Sequence, residues 1–243
     1  MRTGVFRPFE SHFGGLGPND GTVDFYLRVG SLASPDKTLL DLGAGRAAWH
    51  EDDTVAIRRG MRTMRGRFGQ VIAADIDPVV LNNRASERQV LIEDGRLPLD
   101  DGSVDVIVSD YVLEHVADPA GFAAEVDRLL APGGWFCART PHRWNYVVLA
   151  SRAMNGRLGD RMVSAAQPDR KDEDVFPKTC RMNSMRDLEA AFSSYRNHSY
   201  LRRADPAYYF GSRHVYRTLD FIHRVMPAAF SGNIFVFLQK PEG

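Results

Sequence analysis

Four acidic residues in the first half of the chain each follow a short apolar run that is typical of a buried strand. They are Asp41, Asp75, Asp94 and Asp110. Because the carboxyl ends of parallel strands meet at one edge of a sheet, this succession predicts four carboxylates along one rim. Carboxylate oxygens accept hydrogen bonds, so such a rim suits a ligand with hydroxyl, amino or cationic groups.

A turn with two glycines, Gly43 and Gly45, follows the first of these runs. Glycine can adopt positive φ and let a ligand lie against backbone N–H groups. The pattern Gly43-x-Gly45-x-x-Ala48 satisfies the dinucleotide fingerprint, so NAD or FAD is one candidate ligand, and a simple strand-to-helix turn is another interpretation. The acidic residues 51–53 would repel a diphosphate, which favours S-adenosylmethionine, a phosphate-free adenosine ligand with an amino group and a sulfonium.

Two histidines are candidates for proton transfer. His115 follows the fourth predicted strand and His142 follows the fifth. An imidazole takes up a proton near neutral pH, so either residue could act as a general base. For His115 the alternative is a histidine at a helix start that is hydrogen-bonded to the backbone.

The composition bounds the class of protein. The 243 residues fit one α/β domain with insertions. A formal net charge of zero argues against a dedicated nucleic-acid-binding protein and a polybasic membrane anchor. Cys137 and Cys180 lack zinc-ligand spacing, which indicates a reduced, cytoplasmic protein. We expect no signal peptide and no membrane span, because no apolar run is long enough.

Apolar runs and turn residues predict alternating strands and helices, and hence a parallel sheet wound on both faces. Asp77-Pro78 and Asp118-Pro119 each combine an N-cap with proline at the first helical position. Acidic residues 51–53 predict the first turn of a helix that ends in five arginines, Arg58 to Arg67, as a solvated face. The predicted strands are 38–42, 71–75, 89–92, 104–109, 135–140, 200–204 and 233–238, and further helices are predicted at 19–34, 144–154, 184–192 and 215–226.

Five motifs between residues 38 and 140 carry a family resemblance. They are Asp41-Leu42-Gly43-Ala44-Gly45, Ala74-Asp75-Ile76-Asp77-Pro78, Leu97-Pro98 with Asp101-Gly102-Ser103-Val104-Asp105-Val106-Ile107, Leu113-Glu114-His115-Val116 and Leu130-Ala131-Pro132-Gly133-Gly134. In this order they resemble the class I methyltransferases, in the bacterial small-molecule branch. The resemblance implies a Rossmann-like, doubly wound seven-stranded α/β sheet, mostly parallel with an antiparallel last strand, with lid insertions. It also implies S-adenosyl-L-methionine as cofactor.

The resemblance assigns the methionine part of the cofactor to three places. The turn Gly43-Ala44-Gly45 would pass under it, and Asp41 would face its amino group. Ser109 and Asp110 would line the sulfonium.

The nucleoside part is assigned to the ends of the next two strands. Asp75 would accept both ribose hydroxyls, and Ile76 would cover one adenine face. Asp94 would accept a hydrogen bond from the adenine amino group, while the backbone of Gly95 or Arg96 would meet a ring nitrogen.

The sequence departs from the family pattern in two places. Ala47 replaces the usual third glycine. The interval from Gly45 to Asp75 is about ten residues longer than the roughly 20 expected, so an extra segment within 50–69 is predicted to be a lid or a partner surface. A metal-dependent branch uses Glu-x-x-Glu-His, but Tyr111 stands at its first position here, so we expect no metal.

We expect an N-terminal arm with the first helix at 1–36 and a methyltransferase domain at 37–243, with acceptor or lid insertions at about 141–183 and 205–232. Aromatic residues in these insertions suit a sugar ring or an aryl group, or plain lid packing; they are Trp144, Tyr146, Phe176, Tyr208, Tyr209, Phe210 and Tyr216. Alternatively, 146–163 forms an amphipathic surface helix that touches a lipid-linked substrate.

The expected function is O-methylation of a small molecule or of a glycan or lipid-linked precursor, without a nucleic-acid partner. Two alternatives remain open at this point. One is an NAD-dependent oxidoreductase, and the other is an S-adenosylmethionine-binding module without turnover.

Overall fold

The computed structural model describes residues 13–17, 19–146, 148–149, 179–206 and 209–242. Most of the predicted N-terminal arm and of the helix predicted for 144–154 lie outside these ranges. So do Phe176, Tyr208 and most of the alternative surface helix at 146–163.

Eight strands within the described residues form one sheet. They are β1 (Thr38–Leu42), β2 (Gln70–Asp75), β3 (Arg88–Leu91), β4 (Val104–Asp110), β5 (Leu130–Pro141), β6 (Arg196–Asn197), β7 (Tyr200–Arg203) and β8 (Gly232–Gln239). The order across the sheet is β3-β2-β1-β4-β5-β8-β6, and β7 pairs with β8 beside this path. Neighbouring strands from β3 to β5 are parallel, which confirms the predicted doubly wound arrangement.

The last strand is antiparallel, as predicted. The Gly133 N–H donates to the Pro241 carbonyl at 3.2 Å, so the start of β5 lies beside the end of β8. Arg196 pairs with Gln239 in the antiparallel ladder of β6 and β8. The sequence prediction missed β6, because a strand of two residues is too short to have a detectable alternation.

Seven α-helices accompany the sheet in the described part of the chain. They are α1 (Gly21–Gly30), α2 (Trp49–Asp52), α3 (Ala56–Arg62), α4 (Pro119–Leu129), α5 (Met185–Ala191), α6 (Arg213–Val225) and α7 (Ala228–Ser231), with 3-10 helices at Phe13–Gly15 and Pro78–Asn82. Both predicted aspartate caps are present. The Asp77 side chain accepts from the Val79 N–H, and that of Asp118 accepts from the Ala120 and Gly121 N–H groups.

Alternation along the strands divides the core into two apolar layers. On one face Leu40, Ile107 and Phe136 pack with Val126 and Leu129 of α4. On the opposite face Leu39, Val106 and Val108 pack with Phe25 and Val29 of α1. Because successive strand residues point to opposite faces, Asp41 and Asp110 extend the α1 face beyond the apolar layer.

The single helix predicted after the glycine turn is wrong, because the chain forms α2 and α3 with a break at Asp53. The Asp53 backbone is extended (φ −75°, ψ 114°). Its carboxylate accepts the Val55 N–H at 2.9 Å and pairs with Arg58 at 3.1 Å. An aspartate that bonds the backbone two residues ahead competes with the helix, which explains the break.

The chain divides into two compact units. The first contains the described residues of Met1–Gly21, Pro141–Pro177 and Leu201–Asn233. The second contains Thr22–Thr140, the described residues of Lys178–Tyr200, and those of Ile234–Gly243. No helix among the described residues has the length and apolarity needed to cross a membrane. The domain boundaries expected from the sequence stay a prediction.

Candidate functional site

The glycine turn combines one crowded and one open position. Gly43 has φ +82°, and a Cβ there would overlap the Val112 side chain. Gly45 has φ +50°, and a Cβ there would meet nothing within 4 Å. Both residues therefore need the conformational freedom of glycine, and the backbone at Gly45 faces space in which a ligand can lie.

Ala47 adopts the left-handed conformation at the position where the family has its third glycine. Its φ is +55°, and its side chain is buried. The departure from the family pattern therefore leaves a glycine-like backbone in place, with the strain of a Cβ in this region.

Asp75 at the end of β2 holds the turn together. Its Oδ2 accepts the Gly45 N–H at 2.9 Å, and its Oδ1 accepts the Asp77 N–H at 3.0 Å. A carboxylate offers about four lone-pair positions, so both oxygens can accept further hydrogen bonds. The neighbouring Ile76 is 64% exposed, which is unusual for an isoleucine beside a buried strand.

Asn83 also positions this turn, and sequence reasoning missed it. Its side chain is buried, and its Nδ2 donates to the Gly45 carbonyl at 2.9 Å. The only local signal is the polar residue at the end of the 3-10 helix Pro78–Asn82, whose partner lies 38 positions away.

Asp94 and Gly95 form an exposed tight turn after β3. Both have positive φ, +52° and +73°. The Arg96 N–H donates to the Glu93 carbonyl at 3.1 Å. Of the two predicted backbone donors, the Gly95 N–H is therefore the better candidate to donate to a ligand. The Asp94 carboxylate is on the exposed side of this turn.

Asp110 at the end of β4 lies in a buried ion pair with Arg139 of β5. Arg139 Nε donates to Oδ1 at 2.7 Å and Nη2 to Oδ2 at 2.8 Å. The Tyr26 hydroxyl also donates to Oδ2, at 3.3 Å. Burial by itself would raise the pKa of Asp110, but the charge and hydrogen bonds of Arg139 lower it overall. The sequence prediction assigned Asp110 to the sulfonium and missed Arg139, its paired residue in the sheet register.

Asp41 has the opposite protonation behaviour. Burial raises its pKa to about 7, with Asp110 and Asp75 adding to the rise and the charge of Arg62 opposing it. The carboxyl group therefore exchanges a proton near neutral pH. An ammonium group beside it would favour the ionised form.

Arg62 at the end of α3 belongs to this site, so the expectation that the arginines of residues 58–67 form a solvated face is wrong for this residue. The Arg62 side chain is 20% exposed, and its Nη2 lies 3.7 Å from Asp110 Oδ2. Its Cζ lies 4.6 Å from the centre of the Trp49 ring and 5.4 Å from that of Tyr26.

His115 follows β4 in a turn that Glu114 anchors. The His115 N–H donates to the Val112 carbonyl at 2.8 Å, and its side chain is half-buried. Glu114 Oε2 accepts from the Thr140 hydroxyl at 2.9 Å, and that hydroxyl accepts from Asn183 Nδ2 at 2.7 Å. The turn is thus fixed by the buried glutamate.

His142 lies in the first unit, whereas His115 lies in the second. Its Nδ1 is 3.1 Å from the Ala229 carbonyl oxygen and 3.2 Å from the Trp144 nitrogen. These backbone contacts orient the ring, and its role as a base stays a prediction.

Tyr111 stands where a metal site would need its first carboxylate. It has φ +60°, and the Arg139 guanidinium carbon lies 4.7 Å from its ring centre. Within the described ranges no group of three or more histidine, cysteine or acidic side chains is arranged to hold a metal ion.

Comparison with known proteins identifies the fold and the central motifs. Residues 40–138 match a family described as a methyltransferase domain. A probable S-adenosylmethionine-dependent methyltransferase of Mycolicibacterium smegmatis is 45% identical over 78 residues, which are 30% of this chain and 30% of that protein. An uncharacterized methyltransferase of Mycobacterium sp. strain JLS is 33% identical over 116 residues, covering 46% of this chain and 42% of that protein. The match thus spans less than half of either relative.

A solved structure has the same fold. It is the geranyl diphosphate C-methyltransferase of Streptomyces coelicolor, determined with S-adenosyl-L-homocysteine, with a TM-score of 0.54 and 17% identity over 90% of this chain and 75% of that one. The resemblance to S-adenosylmethionine-dependent methyltransferases is therefore confirmed by the match over residues 40–138 and by these relatives, and the solved structure shows the same fold.

The described residues fit the cofactor of this family, S-adenosylmethionine. A Cβ at Gly45 would meet nothing within 4 Å, and the exposed Ile76 offers an apolar surface beside Asp75. Ser109 Oγ is buried and makes no hydrogen bond to the described residues, as expected of a group that meets a ligand.

Proposed function

We propose that the protein transfers the methyl group of S-adenosylmethionine to a hydroxyl oxygen of a small molecule, glycan or lipid-linked precursor. The observation that carries the cofactor part of this proposal is the hydrogen bond from the Gly45 N–H to Asp75 Oδ2 at 2.9 Å. It holds the Asp75 carboxylate beside the open face of the glycine turn, which supports its role as acceptor for a ribose diol. NAD remains the less favoured ligand, since the relatives named above are methyltransferases.

The proposal assigns binding residues to each part of the cofactor. Asp41 faces the amino group, and the turn Gly43-Ala44-Gly45 supports the methionine part, with Ser109 at the sulfur. Asp75 accepts the ribose hydroxyls, and Ile76 covers the adenine.

Asp94 and Gly95 complete the adenine site. Asp94 accepts a hydrogen bond from the amino group, and the Gly95 N–H donates to a ring nitrogen. The support is the exposed position of this turn and its two positive φ angles.

His115 acts as the general base. The bound cofactor supplies a methyl group that is already activated by a positively charged sulfur. The protein has to align the acceptor and exclude water. His115 accepts the hydroxyl proton while the acceptor oxygen bonds to the methyl carbon, and the electron pair of the broken carbon–sulfur bond stays on sulfur.

Helix α6 supports a lipid-linked acceptor among the candidates. Phe221 and Val225 lie one turn apart and are 66% and 68% exposed. Arg217 and Arg224 are also exposed on this helix. An apolar stripe with arginines beside it is typical of helices that lie at an anionic bilayer surface.

Labelling of metabolites tests the function. The protein is incubated with methyl-labelled S-adenosylmethionine and either the aqueous or the organic fraction of a cell extract, and the labelled product is identified by mass. A labelled ether supports the proposal, and a label on carbon or nitrogen contradicts O-methylation. Binding of S-adenosylhomocysteine without any labelled product favours the module without turnover, whereas binding of NADH alone favours an oxidoreductase.

Vesicle sedimentation tests the lipid contact separately. We expect the protein to sediment with vesicles that contain anionic lipid and the Phe221→Ser/Val225→Ser variant to remain in the supernatant. Leu27→Ser, which removes an exposed apolar side chain from α1, is the control and should sediment like the unmodified protein. Equal sedimentation of all three contradicts the contact.

A further inference from the structure

The segment that exceeds the family spacing delivers one arginine to the methionine end of the site. Arg62 ends α3, and its guanidinium lies over the rings of Trp49 and Tyr26, with Cζ at 4.6 Å and 5.4 Å from the ring centres. Contacts with two aromatic faces hold a cation in place and limit its rotamers. Arg62 is therefore positioned before any ligand binds.

The hydrogen-bonded ion pair of Asp110 is complete without Arg62. Both oxygens of Asp110 already accept from Arg139, at 2.7 Å and 2.8 Å. Arg62 Nη2 is 3.7 Å from Asp110 Oδ2, which is beyond hydrogen-bond distance. Arg62 Nε is buried and has no hydrogen-bond partner among the described residues. A buried donor of this kind is stabilised by an acceptor, most strongly by an anionic one.

Asp41 supplies the opposite charge close by. Asp41 lies opposite Val108 in the register of β1 and β4, on the same face of the sheet as Asp110, and Arg62 Nη2 lies 3.7 Å from Asp110 Oδ2. The charge of Arg62 also lowers the pKa of Asp41. An amino acid carries a carboxylate and an ammonium on one carbon. A neighbouring cation and carboxyl group are the complement of such a zwitterion.

We propose that Arg62 binds the carboxylate of the methionine part of S-adenosylmethionine, while Asp41 faces its amino group. This inference rests on the proposed cofactor site and extends it. It assigns the extra segment to cofactor selection, since Arg62 favours nucleosides that carry the whole amino-acid end over nucleosides that have lost the carboxylate.

Calorimetric titration with two ligands tests this role. S-Adenosylhomocysteine has the carboxylate, and its decarboxylated analogue differs only in lacking it. We expect the unmodified protein to bind S-adenosylhomocysteine about 10- to 100-fold more tightly, the range for a hydrogen-bonded charge pair. In Arg62→Gln this ratio should fall to near one, mainly through weaker binding of S-adenosylhomocysteine.

Two further variants make the result specific. Arg58→Gln removes an arginine of the same helix that pairs with Asp53, and it should keep the ratio of the unmodified protein. Arg62→Met keeps an unbranched apolar side chain beside the two rings, so it reports on the charge if Arg62→Gln does not fold. An unchanged ratio in either Arg62 variant overturns the inference, and this includes an equal loss of affinity for both ligands. If neither ligand binds the unmodified protein, the cofactor site itself is refuted.

Discussion

Asp110 and Arg139 form a two-point ion pair that joins the ends of the neighbouring strands β4 and β5. Nε and Nη2 of the guanidinium donate to the two carboxylate oxygens at 2.7 Å and 2.8 Å. Arg139 Nη1 donates in addition to the Thr22 hydroxyl of α1 at 3.0 Å. Both charged side chains are buried. Through the bond to Thr22, the pair links the sheet to α1 at the edge of the candidate site.

Loss of one member of this pair should destabilise the protein strongly. Asp110→Ala leaves the Arg139 charge buried, and we expect a decrease of about 3–5 kcal/mol in the free energy of unfolding, measured in urea at pH 7. Asp101→Ala removes the exposed partner of Arg128 and should cost less than about 1 kcal/mol. Asp110→Leu/Arg139→Met should recover much of the loss. If the double variant is as unstable as Asp110→Ala, an unpaired buried charge is not the cause.

Asp41 should make stability depend on pH. Its pKa is raised to about 7 in the folded protein, so between pH 4 and 7 the folded state retains a proton that the unfolded state has released. Raising the pH over this window therefore destabilises the fold, by at most about 4 kcal/mol for a shift of about three units. In Asp41→Asn this loss should disappear. The stability difference between variant and unmodified protein should favour the variant more at pH 8 than at pH 5, and a constant difference would contradict the assignment.

Asp75→Ala should weaken S-adenosylhomocysteine binding by roughly 1–3 kcal/mol, because the ribose hydroxyls lose a charged acceptor and the Gly45 N–H loses its partner. Isothermal titration calorimetry measures the change. Asp118→Ala is the matched control, since it removes an aspartate that also accepts backbone N–H groups, at the start of α4. It should lower the melting temperature and leave the affinity unaltered. An unchanged affinity in Asp75→Ala would refute the ribose assignment.

Asp94→Gly should weaken adenine recognition without strain, because glycine tolerates the φ of +52° at this position. The affinity for S-adenosylhomocysteine should fall, while that for the inosine analogue, which lacks the amino group, should change little. The measured result is the loss of the difference in affinity between S-adenosylhomocysteine and its inosine analogue. A variant that unfolds instead would show that Asp94 is a structural cap.

His115→Ala should lower turnover by about 10²- to 10⁴-fold and leave cofactor affinity nearly unchanged, since a positioned base acts on the acceptor. Raising the pH should restore part of the activity, because the acceptor hydroxyl then ionises more readily. His198→Ala is the control, an exposed histidine that packs on Trp135. Combined loss of cofactor binding and thermal stability would make His115 structural and leave His142 as the candidate base. EDTA should have no effect on turnover.

Local features of the sequence determined the positions of the elements. The apolar runs of β1, β2 and β4, the caps at Asp77 and Asp118, and the glycines of the turn each depend on neighbours within a few residues. Such signals survive without any tertiary contact, which is why the positions of these elements were predictable. The antiparallel last strand and the class of the central domain were predicted from the family resemblance.

Only the tertiary structure determined which polar and charged groups contact one another in the site. Arg139 meets Asp110 through the register of β4 and β5, and Asn83 reaches Gly45 across 38 positions. Arg62 enters the site because Asp53 breaks the predicted helix and α3 begins anew. These partners are distant in sequence, and the energy of a buried charge depends on which groups surround it in space, so residue type and spacing alone did not determine them.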